Sequence, residues 1–485
     1  MSCPQNKNTL MNLKEDLKNP IFATIGAIAD SLNREVYTVG GFVRDIFLDR
    51  PSKDYDFVTV GSGIELAEAV ARSLGPKAHL SVFPNYGTAQ VKFRDLELEF
   101  VGARKESYNR GSRNPIVEDG TLEDDMRRRD FTINAMAISL NAASFGELLD
   151  PFDGLADLHT GTIKTPLDPD ITFSDDPLRM LRAIRFATQL YKPGEDSNGE
   201  RADSFRIAPE TFSAIRRNAA RMEIITRERI NDELSKIMKA AKPSVGWRLL
   251  DMAGLLQYVF PSLIPLKGVE MKEGKGHKDN FYHTIQVVDN VAARSDNEWL
   301  RWAALLHDIA KPTTKRYDPK LGWTFHNHNF VGEKMIPRIF RKMKLPLNEK
   351  MKYVSKLVGL HMRPQSVGEE GVSDSAVRRM LTDAGNDVED LMILAESDIT
   401  SKQPDKVRRQ LEGFKKLRER MQCVQDADAL RNWKNPVDGN EIMERLGIAP
   451  GPEIARLKEM VKEAIIEGHI PYDHDAAWQY LLDNR

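Results

Sequence analysis

Cysteine is scarce in this sequence, and long apolar stretches are missing. Its 485 residues include only Cys3 and Cys423, which excludes a disulfide framework or a thiolate zinc site and fits a reducing compartment. No apolar run approaches the roughly 20 residues that a membrane span needs. The N-terminal segment carries charged side chains instead of the apolar core of a secretory signal. We therefore expect a cytoplasmic protein that does not cross a bilayer.

A marked excess of charge of one sign is also absent. The formal net charge of -2 argues against a protein that coats nucleic acid nonspecifically. With 41% hydrophobic and 29% charged residues, the composition is ordinary for a folded protein. Because a single hydrophobic core stops growing at about 250 to 300 residues, the length predicts several domains.

The segment Gly40-Gly41-Phe42-Val43-Arg44-Asp45 is followed closely by Asp54-Tyr55-Asp56. Strand-like residues flank both segments, so we expect the glycines on a strand-to-helix turn, where backbone N–H groups can approach a phosphate chain. Residues two apart in a strand share a face, so Asp54 and Asp56 project together. Two such carboxylates repel unless a divalent cation lies between them, and oxygen ligands suit Mg²⁺. A plain turn and a solvated strand are the alternatives for each pattern alone. In this order, the two patterns indicate nucleotidyl transfer.

The periodicity predicts an α+β chain, with a small mixed-sheet head followed by a long all-α part. Strands are predicted at Val36 to Val39, Asp56 to Val60, His79 to Phe83, Thr88 to Phe93 and Leu96 to Val101, with a helix at Gly63 to Leu74. Beyond Asp176, apolar residues recur at helical spacing. We divide the chain into a head (1–165), a helical neck and body (166–262), a third domain (263–405) and a helical tail (406–485).

A third carboxylate is predicted on a later strand of the head. Glu97 and Glu99 alternate with apolar residues, so both acids share one face. We favour Glu99 as the catalytic acid because Arg104 follows shortly after it and places a cation near the phosphates. Two solvent-facing acids on an edge strand are the alternative.

Two arginine-rich segments follow. Arg127-Arg128-Arg129-Asp130 runs into an apolar stretch that contains Asn134, and guanidinium groups suit a bidentate grip on phosphate. A structural cluster of ion pairs is the alternative. Farther along, helical spacing places Asp176 and Arg179 on one face, and Arg182 and Arg185 continue that row. An Asp–Arg pair can read base edges through its acceptors and donors.

Taken in order, these segments resemble the motifs of class II CCA-adding tRNA nucleotidyltransferases and bacterial poly(A) polymerases. The matching segments are Gly40-Gly41-x-x-Arg44-Asp45, Asp54-x-Asp56, Arg128-Arg129-Asp130, Asp150-Pro151-Phe152, Asp175-Asp176-x-x-Arg179 and Thr226-x-Glu228-Arg229-Ile230. The resemblance implies a polymerase-β-like head, two-metal transfer of a nucleotide to an RNA 3′ hydroxyl, and helical domains that hold tRNA.

The resemblance also implies roles for individual residues. Asp54 and Asp56 would bind Mg²⁺, and Asp176 with Arg179 would select CTP or ATP. Nucleotide binding is assigned to Gly40, Gly41, Arg44, Asp45, Arg128, Arg129, Asp130, Asn134, Asp176, Arg179, Arg182 and Arg185.

Three features bear on the exact reaction. Asp175 stands where the family usually has Glu, one methylene longer. The arginine-rich element that distinguishes poly(A) polymerases is not evident in Leu80 to Phe93, which favours CCA addition. The polar segment Lys105 to Gly120 matches the flexible element of full CCA enzymes.

The C-terminal half carries a second set of metal-ligand residues, which resembles the HD phosphohydrolase superfamily. Its members are His283, the doublet His307-Asp308, His328, His361 and Asp398. The doublet is predicted to lie on an apolar helix, Trp302 to Lys311, where burial of His and Asp would be costly without a metal. Imidazole with carboxylate suits Mn, Fe, Ni or Zn, and the sequence does not choose among them. His326 competes with His328 for its role, and a metal site without activity is the main alternative.

Our leading hypothesis is an enzyme that adds or repairs the tRNA 3′ CCA end from CTP and ATP, with an HD phosphohydrolase for terminal or 2′,3′-cyclic phosphates. The alternatives are a poly(A) polymerase and an HD phosphohydrolase with an inactive head. The oligomeric state and a division into CC or A addition alone stay open.

Overall fold

The computed structural model describes residues 11–107, 116–190, 205–276, 278–368, 372–401, 403–431, 435–466 and 469–485. Cys3 and residues 108–115 of the polar segment lie outside these ranges. The chain divides into two compact units: Met1–Met362 with Asn386–Val407, and Arg363–Gly385 with Arg408–Arg485. Within the described ranges, no helix has the length and apolar character needed to cross a membrane.

A mixed sheet forms the head of the first unit. Its elements are α1 (Pro20–Ser31), β1 (Val36–Val39), α2 (Gly41–Phe47), β2 (Asp54–Thr59), α3 (Gly63–Leu74), β3 (Ala78–Phe83), β4 (Thr88–Phe93), β5 (Leu96–Gly102), β6 (Arg104–Ser107), β7 (Ile116–Asp119), α4 (Leu122–Arg127), β8 (Ala137–Ser139), β9 (Leu148–Leu149), α5 (Gly154–His159) and β10 (Thr162–Ile163). Seven of the described strands form one sheet in the order β3-β4-β5-β2-β1-β8-β9. Strands β2 and β5 pair in parallel, and the other neighbours are antiparallel. The predicted α+β class is confirmed.

The alternation of residues in β2 decides which face of the sheet is buried. Tyr55 and Phe57 are buried, and the ring of Tyr55 lies 4.8 Å from that of Phe22 on α1. Because successive side chains point to opposite faces, Asp54 and Asp56 project away from this core. The aromatic packing under β2 therefore fixes the direction of both carboxylates.

The head contains elements that the sequence did not indicate. Strands β8 and β9 extend the sheet beyond β1, but with three and two residues they are too short to show alternation. Strands β6 and β7 pair as a hairpin at the two ends of the polar segment predicted as a loop. Backbone pairing thus orders the ends of that segment.

The rest of the first unit is mainly helical, as predicted. Its elements are α6 (Pro169–Asp175), α7 (Leu178–Gln189), β11 (Arg206–Ile207), α8 (Pro209–Asn218), α9 (Arg227–Met238), α10 (Ser244–Met252), α11 (Leu256–Val259), β12 (Met271–Lys272), β13 (Lys275–Gly276), α12 (Asn280–Ala292), α13 (Glu298–Leu306), α14 (Lys311–Thr314), β14 (Arg316–Asp318), β15 (Gly322–Thr324), α15 (His328–Met343), α16 (Glu349–Leu360) and α19 (Val388–Ser397). Two short hairpins, β12–β13 and β14–β15, interrupt the helices.

Buried polar contacts join the neck helices to those that follow. The Arg301 guanidinium on α13 is almost fully buried and donates to the carbonyls of Met238 at 2.7 Å and Ala240 at 3.0 Å. These carbonyls lie at the C-terminal end of α9, where a cation satisfies acceptors that the helix leaves open. These hydrogen bonds therefore fix the position of α13 against the C-terminal end of α9.

The second unit has a small core of its own. Its helices are α17 (Arg363–Val367), α18 (Asp374–Ala384), α20 (Pro404–Arg431, from Arg408 onward), α21 (Gly439–Leu446), α22 (Pro452–Ile466) and α23 (His474–Asn484). The side chains of Ile442, Leu457 and Leu481 are fully buried together. This core joins the last three helices.

Gly26 on α1 gives a test of how closely the head is packed. A Cβ there would lie 1.9 Å from the carbonyl oxygen of Leu140, so Gly26→Ala must push α1 away from the chain after β8. We expect a loss of about 1–3 kcal/mol, the range for overpacked cores, seen as a lower melting temperature. Gly413→Ala on α20 is the control, because its Cβ would meet no atom within 4 Å. Equal melting temperatures for both variants would contradict the close packing.

Candidate active sites

A row of carboxylates crosses the open face of the head sheet. The parallel register pairs Asp54 with Glu97 and Asp56 with Glu99, so all four acids point to the same side. A Glu97 carboxylate oxygen lies 2.8 Å from the Lys92 ammonium, whereas Glu99 lies beside Asp56. The structure thus brings the three predicted acids together and pairs the competing Glu97 with a lysine.

The electrostatics of this row fit a cation. Burial raises the pKa of Asp56, and Asp54 raises it further, against the lowering effect of Arg129. Burial and the neighbouring Asp56 also raise the pKa of Glu99. The three carboxylates therefore disfavour one another as anions, and a divalent ion with a preference for oxygen ligands, such as Mg²⁺, would relieve that repulsion.

The predicted glycine turn lies directly beside the carboxylates. Gly40 has φ +74° and precedes α2, which begins at Gly41. A Cβ on Gly40 would lie 3.1 Å from an Arg129 guanidinium nitrogen and 3.3 Å from the Asp56 carboxylate. Both the positive φ and the close approach favour glycine here.

A buried carboxylate that the sequence analysis missed organises the arginine segment. Asp125 on α4 is fully buried, and its two oxygens accept from Arg128 at 3.0 Å and from Arg129 at 3.0 Å and 3.2 Å. Burial raises the pKa of Asp125, but the two guanidinium groups outweigh this and hold it below its ordinary value. The spacing of three and four residues before the arginines was the signal available in the sequence.

Asp130 is the centre of a second network. Its carboxylate accepts from Arg182 at 2.7 Å and from the Asn134 amide at 3.0 Å, and the Asn134 carbonyl oxygen accepts from Arg44 at 2.8 Å. Arg44 also donates to Asp45 at 2.9 Å. Although burial raises the pKa of Asp130, these partners lower it to about 2. This network connects α2, the segment after α4, and α7.

Asp176 requires a correction to the predicted helical face. Asp176 lies before α7 with extended backbone, and its carboxylate accepts from the Leu178 N–H at 3.1 Å. It therefore caps the helix instead of continuing the row of Arg179, Arg182 and Arg185, because Pro177 disfavours helical backbone at the preceding residue. The Arg229 guanidinium lies 3.8 Å from the Asp176 carboxylate.

The face of α7 opposite its apolar side carries the predicted arginines. Arg179 donates to the Arg128 carbonyl at 2.8 Å, which ties α7 to the arginine segment. The Arg185 guanidinium lies 2.7 Å from the buried Glu233 carboxylate on α9. Burial lowers the pKa of Arg185 to about 10, so the charge is retained at neutral pH.

All head and neck residues predicted to act in catalysis or nucleotide binding line one cavity of about 780 Å³. This size is that of a small-molecule site. Further lining residues that were not predicted to act in the site are Phe42, Ser52, Gln90, Glu97, Leu178, Phe186, Arg229 and Lys236, of which Glu97 was the competing acid and Arg229 part of a family motif. Arg229 and Lys236 flank Glu233 at helical spacing, and this spacing was the signal available in the sequence. Arg104 lines another cavity and donates to the Tyr86 carbonyl at 2.9 Å, and its charge lowers the pKa of Glu99 against the effects of burial and Asp56.

The predicted HD residues come together from the ends of helices. His283 is on α12, and His328 begins α15; His307, His361 and Asp398 are the residues that directly follow α13, α16 and α19. Asp308 follows His307. The doublet thus lies just beyond the apolar helix on which it was predicted.

These six residues form two groups in the described part of the chain, each with ligand atoms within 4.8 Å of one another. One group is His283, His307 and Asp398, and the other is Asp308, His328 and His361. One Asp308 oxygen lies 3.3 Å from His307 Nε2, and the other lies 3.3 Å from His328 Nε2. Asp308 therefore stands between the two groups.

The histidine rings are turned toward the centre of the cluster. The Nδ1 atoms of His307, His328 and His361 each lie 2.7 Å from a backbone carbonyl oxygen. A carbonyl only accepts, so Nδ1 carries the proton and Nε2 is left as the metal-binding atom. The Nε2 atoms of His328 and His361 are 3.2 Å apart, and a proton or a cation must lie between them.

The acid–base properties of the cluster also fit a metal. Burial lowers the pKa of His361 to about 4, which keeps it neutral, whereas Asp308 and Asp398 outweigh burial and raise the pKa of His307 to about 10, so the two carboxylates favour a cation beside them. The buried His307 Nε2 makes no hydrogen bond of acceptable geometry among the described residues. His326 is exposed and outside both groups, so the geometry favours His328 over it. The Lys311 ammonium lies 2.5 Å from Asp308.

Comparison with protein families assigns these sites to known domains. The chain matches a poly A polymerase head domain over residues 36–164, a probable RNA- and SrmB-binding site of polymerase A over 204–266, and an HD domain over 280–433.

Curated relatives agree with this assignment. The multifunctional CCA protein of Psychromonas ingrahamii is 32% identical over 351 residues, which are 71% of this chain and 79% of that protein. The A-adding tRNA nucleotidyltransferase of Aquifex aeolicus is 50% identical over 154 residues, 32% of this chain but only 18% of that protein.

Solved structures share the fold. A tRNA nucleotidyltransferase complexed with a primer tRNA and an ATP analogue matches with a TM-score of 0.56 and 25% identity, over 81% of this chain and 98% of that one. The Thermotoga maritima CCA-adding enzyme, at 20% identity, matches with a TM-score of 0.58 over 98% of this chain and 99% of that one. With the domain matches and the relatives, these similarities confirm the resemblance seen in the motifs: the chain is a nucleotidyltransferase of the multifunctional CCA protein family.

Proposed function

We propose that the head cavity adds or repairs the 3′-terminal CCA of tRNA with CTP and ATP. The observation that carries this proposal is the single cavity in which Asp54, Asp56 and Glu99 face the arginines of α7. The names of the relatives indicate an RNA substrate. The cavity offers carboxylates on one wall and guanidinium groups on the other, which suit a nucleoside triphosphate with its metal ions. A cytoplasmic location follows from a tRNA substrate and the near absence of cysteine.

Each wall of the cavity has a separate task in this proposal. Asp54 and Asp56 would hold Mg²⁺, which when bound neutralises the phosphates and the leaving group. Arg128 and Arg129, held by Asp125, would grip the phosphate chain at the glycine turn. Asp176 and Arg179 would read the base edge, one as acceptor and the other as donor.

The reaction exchanges a phosphoanhydride bond for a phosphodiester bond. The oxygen of the RNA 3′ hydroxyl attacks the α-phosphorus, a new P–O bond forms, and the bond to the β-phosphate oxygen breaks to release pyrophosphate. The hydroxyl proton must leave as the bond forms. Glu99 would accept it, because it lies beside Asp56 and its pKa is raised by burial and by that neighbour.

The HD cluster supports a second activity, metal-dependent hydrolysis of phosphate esters. Two groups of three ligands, with Asp308 of the second group also 3.3 Å from His307 of the first, fit two ions of Mn, Fe, Ni or Zn, each with His and carboxylate ligands. A water oxygen would attack phosphorus, one P–O ester bond would break, and the water proton would pass to the leaving oxygen. On damaged RNA ends, the substrates would be terminal or 2′,3′-cyclic phosphates.

Addition of A alone is a second candidate function for the head. The 50% identity over 154 residues to an A-adding enzyme favours it. A poly(A) polymerase has less support, because the relatives with long matches are named CCA proteins.

Nucleotide incorporation on three tRNA ends would decide among these functions. Full-length protein would be incubated with Mg²⁺ and CTP, ATP or both, on tRNA that ends at the discriminator base, at C or at CC. We expect C, C and A in that order on the shortest end. Extension of the CC end with no addition of C to either shorter end would identify an A-adding enzyme, and long A tracts would identify a poly(A) polymerase.

The two glutamates of β5 should differ in their effect on catalysis. Because Glu99 adjoins Asp56, Glu99→Gln should lower kcat by at least about 100-fold, the lower range for loss of a general base. Glu97→Gln is the matched control on the same face. It removes a half-exposed ion pair with Lys92 and keeps a carbonyl acceptor for the Gln90 amide, which should change kcat by about fivefold at most. A larger effect of Glu97→Gln in single-turnover assays would reverse the assignment.

Metal analysis of the purified protein would test the HD ligands. We expect up to two transition-metal ions per chain after loading, one for each group. His328→Ala should lose one of them, because it removes a ligand of the second group. His326→Ala is the control and should keep both, since His326 lies outside the cluster. Unchanged metal content in His328→Ala would refute the second group.

A further inference from the structure

One histidine of the HD cluster is held differently from the other three. The Nδ1 atoms of His307, His328 and His361 lie against backbone carbonyl oxygens. Nδ1 of His283 instead lies 2.8 Å from the hydroxyl oxygen of Thr400. A backbone carbonyl is present whatever side chain its residue carries, whereas a hydroxyl is not. The orientation of His283 therefore depends on the identity of a neighbouring side chain.

Thr400 reaches this ring from the chain segment that also carries a predicted metal ligand. Asp398 directly follows α19, and the half-buried Thr400 lies two residues farther along. The Asp398 carboxylate is 2.9 Å from Nε2 of His283, and the Thr400 hydroxyl contacts Nδ1 of the same ring. One short segment thus contacts both nitrogens of His283 and holds the ring between them.

The Thr400 hydroxyl can act as the acceptor that a metal-binding histidine needs. For Nε2 of a neutral imidazole to bind a metal ion, Nδ1 must carry the proton and donate it to a neighbour. The Lys278 ammonium also donates to the Thr400 hydroxyl oxygen, at 3.2 Å, and to the Thr400 carbonyl, at 3.4 Å. Because a hydroxyl oxygen has two acceptor sites, it can accept from Lys278 and from His283 together. Lys278 thereby holds Thr400 in the orientation that meets the ring.

The burial of the ring gives this hydrogen bond its weight. The His283 side chain is only 9% exposed, so water is poorly placed to replace a lost acceptor. Loss of an outer hydrogen-bond partner of a ligand typically lowers metal affinity by about 10- to 100-fold. Removal of the Thr400 hydroxyl should therefore weaken metal binding at His283.

We propose that Thr400 is a positioning residue of the HD centre, whose hydroxyl accepts from Nδ1 of His283 and so sets the affinity of the group formed by His283, His307 and Asp398. The inference rests on the proposed metal-dependent function of this cluster and adds a residue outside the ligand set. Because the other group uses backbone carbonyls, it does not depend on Thr400.

Metal titration of matched variants would test this role. The full-length protein, stripped of metal, would compete with a chromogenic chelator for Zn²⁺, and in separate runs for Ni²⁺ or Mn²⁺. His283→Ala would identify the binding step to which His283 contributes. Thr400→Val, which keeps the shape of threonine without its hydroxyl, should raise the dissociation constant of that step by about 10- to 100-fold. Thr400→Ser keeps the hydroxyl and should bind as the wild type does.

Thr284→Val is the control, because it makes the same chemical change beside the same ligand. Thr284 follows His283 on α12 and is fully buried. Its hydroxyl oxygen has no hydrogen-bond partner in the described ranges of the chain. Metal affinity in this variant should therefore equal that of the wild type.

The other outcomes separate the role of Thr400 from the metal site itself. Wild-type affinity in Thr400→Val would refute the role of Thr400 and leave the metal cluster in place. Weakening of the steps that His283→Ala leaves intact, or an equal loss in Thr400→Ser, would also overturn the inference, because each would assign Thr400 to general support of the fold. If the wild type bound none of these ions, the proposed metal site would fail, and the role of Thr400 with it.

Discussion

Parallel pairing of β2 with β5 is the contact on which the head site depends. Its register sets Asp56 beside Glu99, and the period of two turns both side chains to the open face. On the other face, Phe57 and Phe100 are fully buried with ring centres 5.0 Å apart. A slip by one residue would bury the carboxylates and expose the aromatic rings. The hydrophobic core therefore specifies the catalytic geometry without taking part in it.

On the side of the cavity opposite Asp56 and Glu99, the arginines keep their positions because buried acids hold them. Asp125 grips two guanidinium groups, Asp130 grips Arg182, and Glu233 lies against Arg185. An arginine carries about 2 kcal/mol of side-chain conformational entropy. If the arginines were mobile, a nucleotide would have to order them and would bind less tightly. Charge pairing within the protein meets that cost before the ligand arrives. The positive wall is thus preorganised.

The sequence predicted those parts of the arrangement that depend on a regular period of apolar residues or on residues adjacent in the chain. The strands β1 to β5, the helix α3 and the glycine turn were found in this way, and so was the apolar face of α7. Asp125 and Glu233 were missed because a buried acid in a helix looks like a solvated one until its partner from another segment is known. For Asp176, the following proline outweighed the helical spacing. Strands β8 and β9 exist only through pairing with β1, which no local pattern reveals.

The two metal clusters differ in a way that follows from their surroundings. In the head, the carboxylates lie along a strand at an open cavity, where a hard ion that keeps some of its water can exchange with substrate phosphate. In the HD cluster, most ligands lie at the ends of helices, and backbone carbonyls fix the tautomers of His307 and His361. A rigid, partly dry site with nitrogen ligands favours transition metals over Mg²⁺. The ligand types of the two clusters would therefore favour different ions within one chain.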